Sequence, residues 1–182
     1  HSKENRPNPL VQIGMFMDMD GLPLAICVWP GNTSEQKTLQ PLEEVLSEKF
    51  GLSKFVVCTD GGLGSKDNRK YNVTEDRNFI TVQSLKKLPA HYQQWATSPE
   101  GWRLRPRLQG DADTRCRETY DLGEIDLDEY ADDTFYKECL TDETAYEEHL
   151  IVTYCRKYDI YQKQLRDQQI QRAITKINRG EI

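Results

Sequence analysis

The chain has 182 residues, of which 37% are hydrophobic and 30% are charged, and its formal net charge at pH 7 is −6. This length suits one core, or one core with a smaller satellite, and the composition is that of an ordinary globular protein. No run approaches the roughly eighteen apolar residues of a membrane helix, and no secretory signal is visible. Because the chain opens on His1 without a methionine, we expect it to be a piece of a longer protein.

Cysteine usage and charge distribution limit the classes of site. The five cysteines form no C-x-x-C pair, which disfavours a zinc cluster or a disulfide framework and predicts a reduced, intracellular chain. Residues 120–148 hold twelve acidic residues and one lysine, whereas residues 156–179 hold seven basic residues and two aspartates. Since nucleic acid responds to the local field, the negative net charge does not exclude DNA as a partner.

The first half of the chain predicts an α/β pattern. Two apolar runs, 11–18 and 22–29, flank Asp20-Gly21, which predicts a β-hairpin, and their continuous apolarity predicts strands covered on both faces. A turn and then a helix from about Gln40 follow, with Gly51 as the stop, because apolar residues recur there at helical spacing.

Three further elements complete this region. We expect a strand at 54–60, a short helix or turn around 65–71 and a strand at 78–84. Hairpin, helix, strand, helix and strand in this order predict a mixed sheet with helices over residues 1–88.

From Pro89 onward the chain becomes polar, and we interpret residues 89–182 as a β-rich or irregular insertion. Residues 149–155 predict a strand, and basic helices follow from about residue 156. The apolar stripe of that last segment rotates around the axis, which predicts a kink or a break near residues 166–169. Trp95 and Trp102 could stack on bases, but we expect them to pack the insertion's own core.

The stretch KFVVCTDGGLGS places Asp60 at the end of a predicted strand and directly before Gly61 and Gly62. Ligands collect at the carboxyl ends of strands in α/β sheets, Mg²⁺ prefers carboxylate oxygens, and glycines let a phosphate backbone approach. The alternative is a turn aspartate that accepts local amides, with glycines chosen for positive φ. Both interpretations stay open on the residues alone.

Several segments in order resemble the catalytic region of bacterial insertion-sequence DDE transposases, which have an RNase H-like, or retroviral-integrase, fold. The segments are HSKENRPNP, QIGMFMDMDGLPLAICVWPGNTSEQKTL, FVVCTDGGL and NFITVQSLKKL. The resemblance covers most of residues 1–88 and resumes at residues 150–173. It implies a partial RNase H-like core at 1–88, without its first strand, and an insertion region at 89–182.

The same resemblance implies a metal-dependent enzyme of DNA transposition. Asp60 matches the second of three acidic residues that hold two Mg²⁺ or Mn²⁺ ions for DNA strand cleavage and transfer. The first aspartate and the glutamate lie outside this chain, so we expect the isolated chain to be inactive. The implied partners are transposon-end and target DNA, with a homodimer in the synaptic complex and no membrane, in the bacterial cytoplasm at the nucleoid.

Basic residues near the start of the chain and along the last helical segment are the candidates for DNA contact: Lys3, Arg6, Arg156, Lys157, Lys163, Arg166, Arg172, Lys176 and Arg179.

Two other function classes stay open. One is an unrelated metal-dependent phosphohydrolase or nuclease that uses Asp18 and Asp20 with Asp60. The other is a non-enzymatic interaction module in which residues 120–148 and the basic helices bind partner chains.

Overall fold

The structure, a computed structural model, describes residues 10–52, 54–73, 76–105, 119–141 and 146–180. Within these ranges the chain is α/β, with seven strands in small sheets and four α-helices, which confirms the predicted class. It divides into two compact units, residues 1–88 and 89–182, and the division falls where the composition changes. None of the helices in these ranges is long and apolar enough to cross a membrane.

The first unit begins with the predicted hairpin. Strands β1 (Val11–Met17) and β2 (Pro23–Pro30) pair antiparallel. Between them, the Asp18 carboxylate accepts the amides of Asp20 and Leu22 at 3.0 and 2.8 Å, and Gly21 has a φ of 83°. The turn therefore uses the local hydrogen bonding and positive φ that an Asp-Gly pair favours.

A 3₁₀ turn (Glu35–Lys37) precedes helix α1 (Leu39–Phe50), which confirms the predicted turn and helix. Pro41 lies in the first helical turn, where a missing N–H costs little. Gly51, at φ 62°, donates its N–H to the Ser47 carbonyl and ends the helix.

Helix α2 (Lys66–Tyr71) connects two parallel strands, β3 (Phe55–Thr59) and β4 (Arg77–Thr81). The two pairs, β1–β2 and β3–β4, form separate two-stranded sheets within the described residues. The prediction of one mixed sheet over residues 1–88 is therefore wrong for this structure.

Helix α1 covers one face of the hairpin only. Its Leu42 and Leu46 pack with Ala25 of β2 in a buried cluster. The side chains that point the other way are exposed, for example Ile13 at 68% and Val28 at 64%. The prediction that both faces of these strands are covered is not met within the first unit, because none of its described residues packs on the second face.

A buried polar network joins α1 to α2. Glu43 has 0% exposure, and Nδ2 of Asn72 donates to its two carboxylate oxygens at 2.9 and 3.2 Å. Burial raises the pKa of the Glu43 carboxyl, and the Asn72 hydrogen bond and the Arg77 charge oppose part of that rise. Oδ1 of Asn72 is buried and makes no hydrogen bond to a described residue.

The second unit is built on a three-stranded antiparallel sheet. Helix α3 (Ala90–Thr97) precedes it, and its strands β5 (Arg103–Leu104), β6 (Thr134–Leu140) and β7 (His149–Cys155) lie in that order. The strand predicted at 149–155 is thus confirmed. One face packs a cluster of Trp102, Leu104, Tyr120, Tyr130 and Phe135.

Lys137 of β6 is buried at 4% exposure beneath this cluster. Its Nζ donates to the carbonyls of Trp95 and Ser98 at the end of α3, at 2.8 and 2.6 Å, and lies 4.6 Å from the Trp102 ring centre. Desolvation lowers the pKa of Lys137, and the Glu100 charge opposes this. Trp102 therefore packs the core of the second unit, as predicted for residues 89–182.

Helix α4 (Arg156–Asn178) is a single continuous helix of 23 residues. The predicted kink or break near residues 166–169 is therefore wrong. The rotation of the apolar stripe is real, but residues 166–180 are all exposed, so no packing contact bends the helix there, and α4 itself holds no proline or glycine.

Replacement of Glu43 by glutamine should remove one component of the pH dependence of stability. Because the folded-state pKa of Glu43 lies above its unfolded value, its contribution is present at low pH and is lost as pH rises through the folded pKa. Glu43→Gln, which stays uncharged at every pH, should gain roughly 1 kcal/mol over the wild type at neutral pH and nothing at pH 4.

Urea unfolding from pH 4 to pH 8 measures this difference. Glu48→Gln, at an exposed position of the same helix, is the control and should show no such pH-dependent gain. Parallel pH profiles for Glu43→Gln and the wild type would contradict the assignment.

Candidate functional site

Asp60 lies directly after β3, at the edge where the carboxyl ends of the two parallel strands meet. The residue is exposed, as a ligand-binding carboxylate at this position should be. Its Oδ1 accepts the Gly62 N–H at 2.9 Å, and its carbonyl accepts the Leu63 N–H at 3.3 Å. Its Oδ2 makes no hydrogen bond to any residue that the structure describes. One oxygen thus forms a local turn, as the alternative interpretation expects, and the other is open to solvent.

The two glycines after Asp60 lie close to neighbouring atoms. Neither Gly61 nor Gly62 has positive φ, so that part of the turn interpretation is wrong. A Cβ at Gly61 would lie 3.1 Å from the Val82 carbonyl oxygen. A Cβ at Gly62 would lie 3.0 Å from Oε2 of Glu35 and 3.2 Å from Oδ1 of Asp60. A phosphate beside Gly62 would therefore meet two carboxylates and would need a cation between them.

Glu35 is the second acidic residue of this site. Its Oε2 and Asp60 Oδ1 both lie near the Gly62 position, and together those two distances place the oxygens within about 6 Å of each other. Glu35 lies in the 3₁₀ turn before α1, far from Asp60 in sequence. Sequence reasoning missed it because no spacing rule relates a turn residue to a distant strand end.

The side chain of Asn68 brings these two loops together. Its Nδ2 donates to the carbonyl of Gln36 at 2.8 Å and to the carbonyl of Leu63 at 2.9 Å. Its Oδ1 accepts from Gln40 Nε2 at 3.1 Å, and the residue is 3% exposed. One buried side-chain amide therefore holds the turn with Glu35 next to the loop with Asp60.

Threonine side chains fix the other side of the Asp60 loop. Oγ1 of Thr59 donates to Oγ1 of Thr81 at 3.0 Å, and Oγ1 of Thr81 donates to the Asp60 carbonyl at 3.1 Å. Gly64 lies against this contact, since a Cβ there would be 2.5 Å from Thr81 Oγ1. The loop thus has little freedom to move away from β4.

The metal-binding capacity of the site is limited. Among the described residues, no group of three or more His, Cys, Asp or Glu side chains is arranged to hold a metal ion. Asp18 and Asp20 lie in the hairpin turn and do not converge with Asp60. Asp60 and Glu35 fit one weakly held, largely hydrated Mg²⁺, but they do not fit a two-ion centre, which needs more carboxylates.

Three of the predicted DNA-contact residues in α4 already pair with carboxylates. Arg156 bonds Asp128 at 2.9 Å, Lys157 pairs with Asp132, and Lys163 bonds Asp159 at 2.8 Å. The hydrogen bond that Arg156 donates to Asp128 raises the pKa of Arg156, and the one that Asp159 accepts from Lys163 lowers the pKa of Asp159. These contacts lie within the second unit and neutralise part of the basic segment.

The second half of α4 keeps its charge exposed. Arg166, Arg172 and Lys176 form no ion pair with any described residue. Arg172, Lys176 and Arg179 follow at helical spacing and share one side of the helix. Lys3 and Arg6 lie outside the described residues.

Comparison with known proteins gives no relative. No family model, no curated protein and no solved structure matches this chain.

Substitution of Gly64 by alanine should destabilise the Asp60 loop. The new Cβ would overlap Thr81 Oγ1, which cannot move without breaking its bonds to Thr59 and Asp60, so we expect a loss of about 1–3 kcal/mol. Gly62→Ala is the matched control, because its Cβ meets only the mobile ends of two carboxylates. Chemical denaturation of both variants tests this, and equal stabilities would contradict it.

Proposed function

We propose that the chain is part of the catalytic region of an insertion-sequence DDE transposase with an RNase H-like core, and that Asp60 is its one carboxylate of the metal-binding triad. The observation that supports this best is the position of Asp60 at the carboxyl end of a parallel strand, exposed, with one oxygen unbonded. The order of elements in the first unit, a hairpin, a helix and two parallel strands, also supports it.

The chemistry of this family needs little from the protein beyond carboxylates. When bound, two divalent ions supply an activated water or 3′-hydroxyl and stabilise the leaving oxygen. The described residues do not fit a centre of two metal ions. The role of this chain is therefore to hold Asp60 in a fixed, open position through Asn68 and Thr81. The isolated chain should then bind a divalent ion weakly and cleave no DNA.

The pair of carboxylates predicts a specific metal-binding response. Titration of the chain with Mn²⁺, followed by water-proton relaxation, should give weak millimolar binding, because two carboxylates offset little of the ion's dehydration. Asp60→Asn should abolish it, and Glu35→Gln should weaken it several-fold, because each removes one of the two charges.

Asp20→Asn is the control for this titration. It removes an exposed carboxylate of the hairpin turn, so Mn²⁺ binding should be unchanged. Loss of binding in Asp20→Asn would instead favour the unrelated nuclease that uses Asp18 and Asp20. Unchanged binding in Asp60→Asn, or DNA nicking by the isolated chain with Mg²⁺ or Mn²⁺, would overturn the proposal.

The second half of α4 carries the positive charge of the proposed DNA surface, because the ion pairs of α4 lie in its first half. Binding of the chain to duplex DNA should weaken as salt rises, and each phosphate contact contributes about −0.9 to the slope of log K against log salt. Replacing Arg166, Arg172 and Lys176 with glutamine should therefore reduce the slope by about 3, as measured by fluorescence anisotropy at several salt concentrations.

A double variant, Arg156→Gln with Lys157→Gln, is the comparison for that measurement. These side chains already pair with Asp128 and Asp132, so the slope should change by less than 1. A larger change than in the triple variant would place the DNA contact on the first turn of α4. The alternative of an interaction module would be favoured if DNA binding showed no salt dependence at all.

A further inference from the structure

His149, the first residue of β7, lies between two carboxylates beside the loop that connects β6 to β7. Its Nδ1 lies 2.5 Å from Oε1 of Glu138 on β6, and its Nε2 lies 3.1 Å from Oε1 of Glu147 in the loop. The imidazole is 45% exposed, so both contacts are made at the protein surface. We name these three residues the histidine clasp.

Only one protonation state of the imidazole satisfies both contacts. An ionised carboxylate can only accept hydrogen bonds, and a neutral imidazole has one N–H and one lone pair. In either neutral tautomer, His149 therefore turns a lone pair toward one of the two carboxylates. The imidazolium donates from both nitrogens and places a positive charge between two negative ones. The histidine clasp is thus complete only when His149 carries the second proton.

The surroundings of His149 favour that proton. Within the ranges that the structure describes, Glu147 from the loop and Glu138 from β6 are the charged groups that act on it. Their hydrogen bonds, that of Glu147 first, raise the pKa of His149 above its usual value of 6.5, and desolvation opposes part of the rise. Glu148 is buried at 6% exposure, because successive residues of extended chain point to opposite faces.

The histidine clasp reinforces the closure of the loop. The Thr141 N–H donates to the Glu148 carbonyl at 2.9 Å, directly beyond the last pair of the β6–β7 ladder, Leu140 with His149. Hydrogen bonds at such an exposed end open more readily than those in the middle of a sheet. A connection from the loop through His149 to β6 should make this bond open less often.

We propose that the histidine clasp is a pH-sensitive tether, which holds the β6–β7 loop to the sheet while His149 is doubly protonated and releases it on deprotonation. The two carboxylates face opposite nitrogens of one ring, so the three side chains cannot converge on one metal ion, and a proton is the ligand that this arrangement fits. This inference does not depend on the proposed transposase function.

The direction of the pH dependence follows from the sign of the shift. Since the folded state holds the proton of His149 more tightly than the unfolded state, the tether is fully present below the usual pKa of 6.5. It is lost as pH rises through the raised pKa of the folded state.

Nuclear magnetic resonance of the full 182-residue chain, with the ring nitrogens of His149 followed from pH 5 to pH 9, tests the proposal. Protection of the Thr141 N–H against hydrogen exchange, corrected for the intrinsic effect of pH, should fall several-fold through the His149 midpoint. Glu138→Gln and Glu147→Gln should each lower that midpoint and flatten the change in protection, because a glutamine can bond to either state of the ring nitrogen. Glu124→Gln, at an exposed position of the same unit, is the control and should change neither.

Circular dichroism checks that the variants fold, as expected for side chains that are 41% and 73% exposed at Glu138 and Glu147. If neither glutamine variant folds, His149→Gln decides, since it should remove the pH step in Thr141 protection. A His149 midpoint that both folded glutamine variants leave unmoved overturns the proposal. So does Thr141 protection that does not follow the His149 midpoint in the wild type, or a midpoint that Glu124→Gln lowers equally.

Discussion

The side-chain amide of Asn68 is the constraint on which the candidate site depends. It lies on a short helix that follows the Asp60 loop, and its two N–H groups bind the backbone of that loop and of the turn before α1. A buried amide with both partners satisfied is costly to break, since its N–H groups would be left without partners in the interior. The two acidic residues therefore stay close despite their mutual repulsion.

The second unit depends on a comparable contact, made by the buried lysine Lys137. Lys137 reaches under the tryptophans to the carbonyls at the end of α3, where the helix dipole favours a cation. It thereby joins β6 to the end of α3. In both units a single polar side chain, fully enclosed, links segments that the small hydrophobic clusters do not hold alone.

Elements with local chemical signals could be predicted from the sequence. Asp20-Gly21 marks the hairpin turn, Gly51 ends α1, and the apolar run at 149–155 matches β7 residue for residue. Two of the predictions were not met, the covering of both faces of β1 and β2 within the first unit and the break in α4. Both depend on what packs against these elements, which their own residues do not specify. At the site, Asp60 at a strand end was predictable, but Glu35 was not, because only the Asn68 contact brings it near.

The straightness of α4 has a geometric consequence. At 100° per residue, Tyr158, Tyr161 and Leu165 lie on nearly the opposite side of the rod from Ile170, Ile174 and Ile177. A flat surface that docks along the whole length of α4 would contact apolar residues over about the first three turns and charged residues over the next three. A partner that covers both apolar stripes of α4 must either wind around the helix or consist of two segments that approach from two directions.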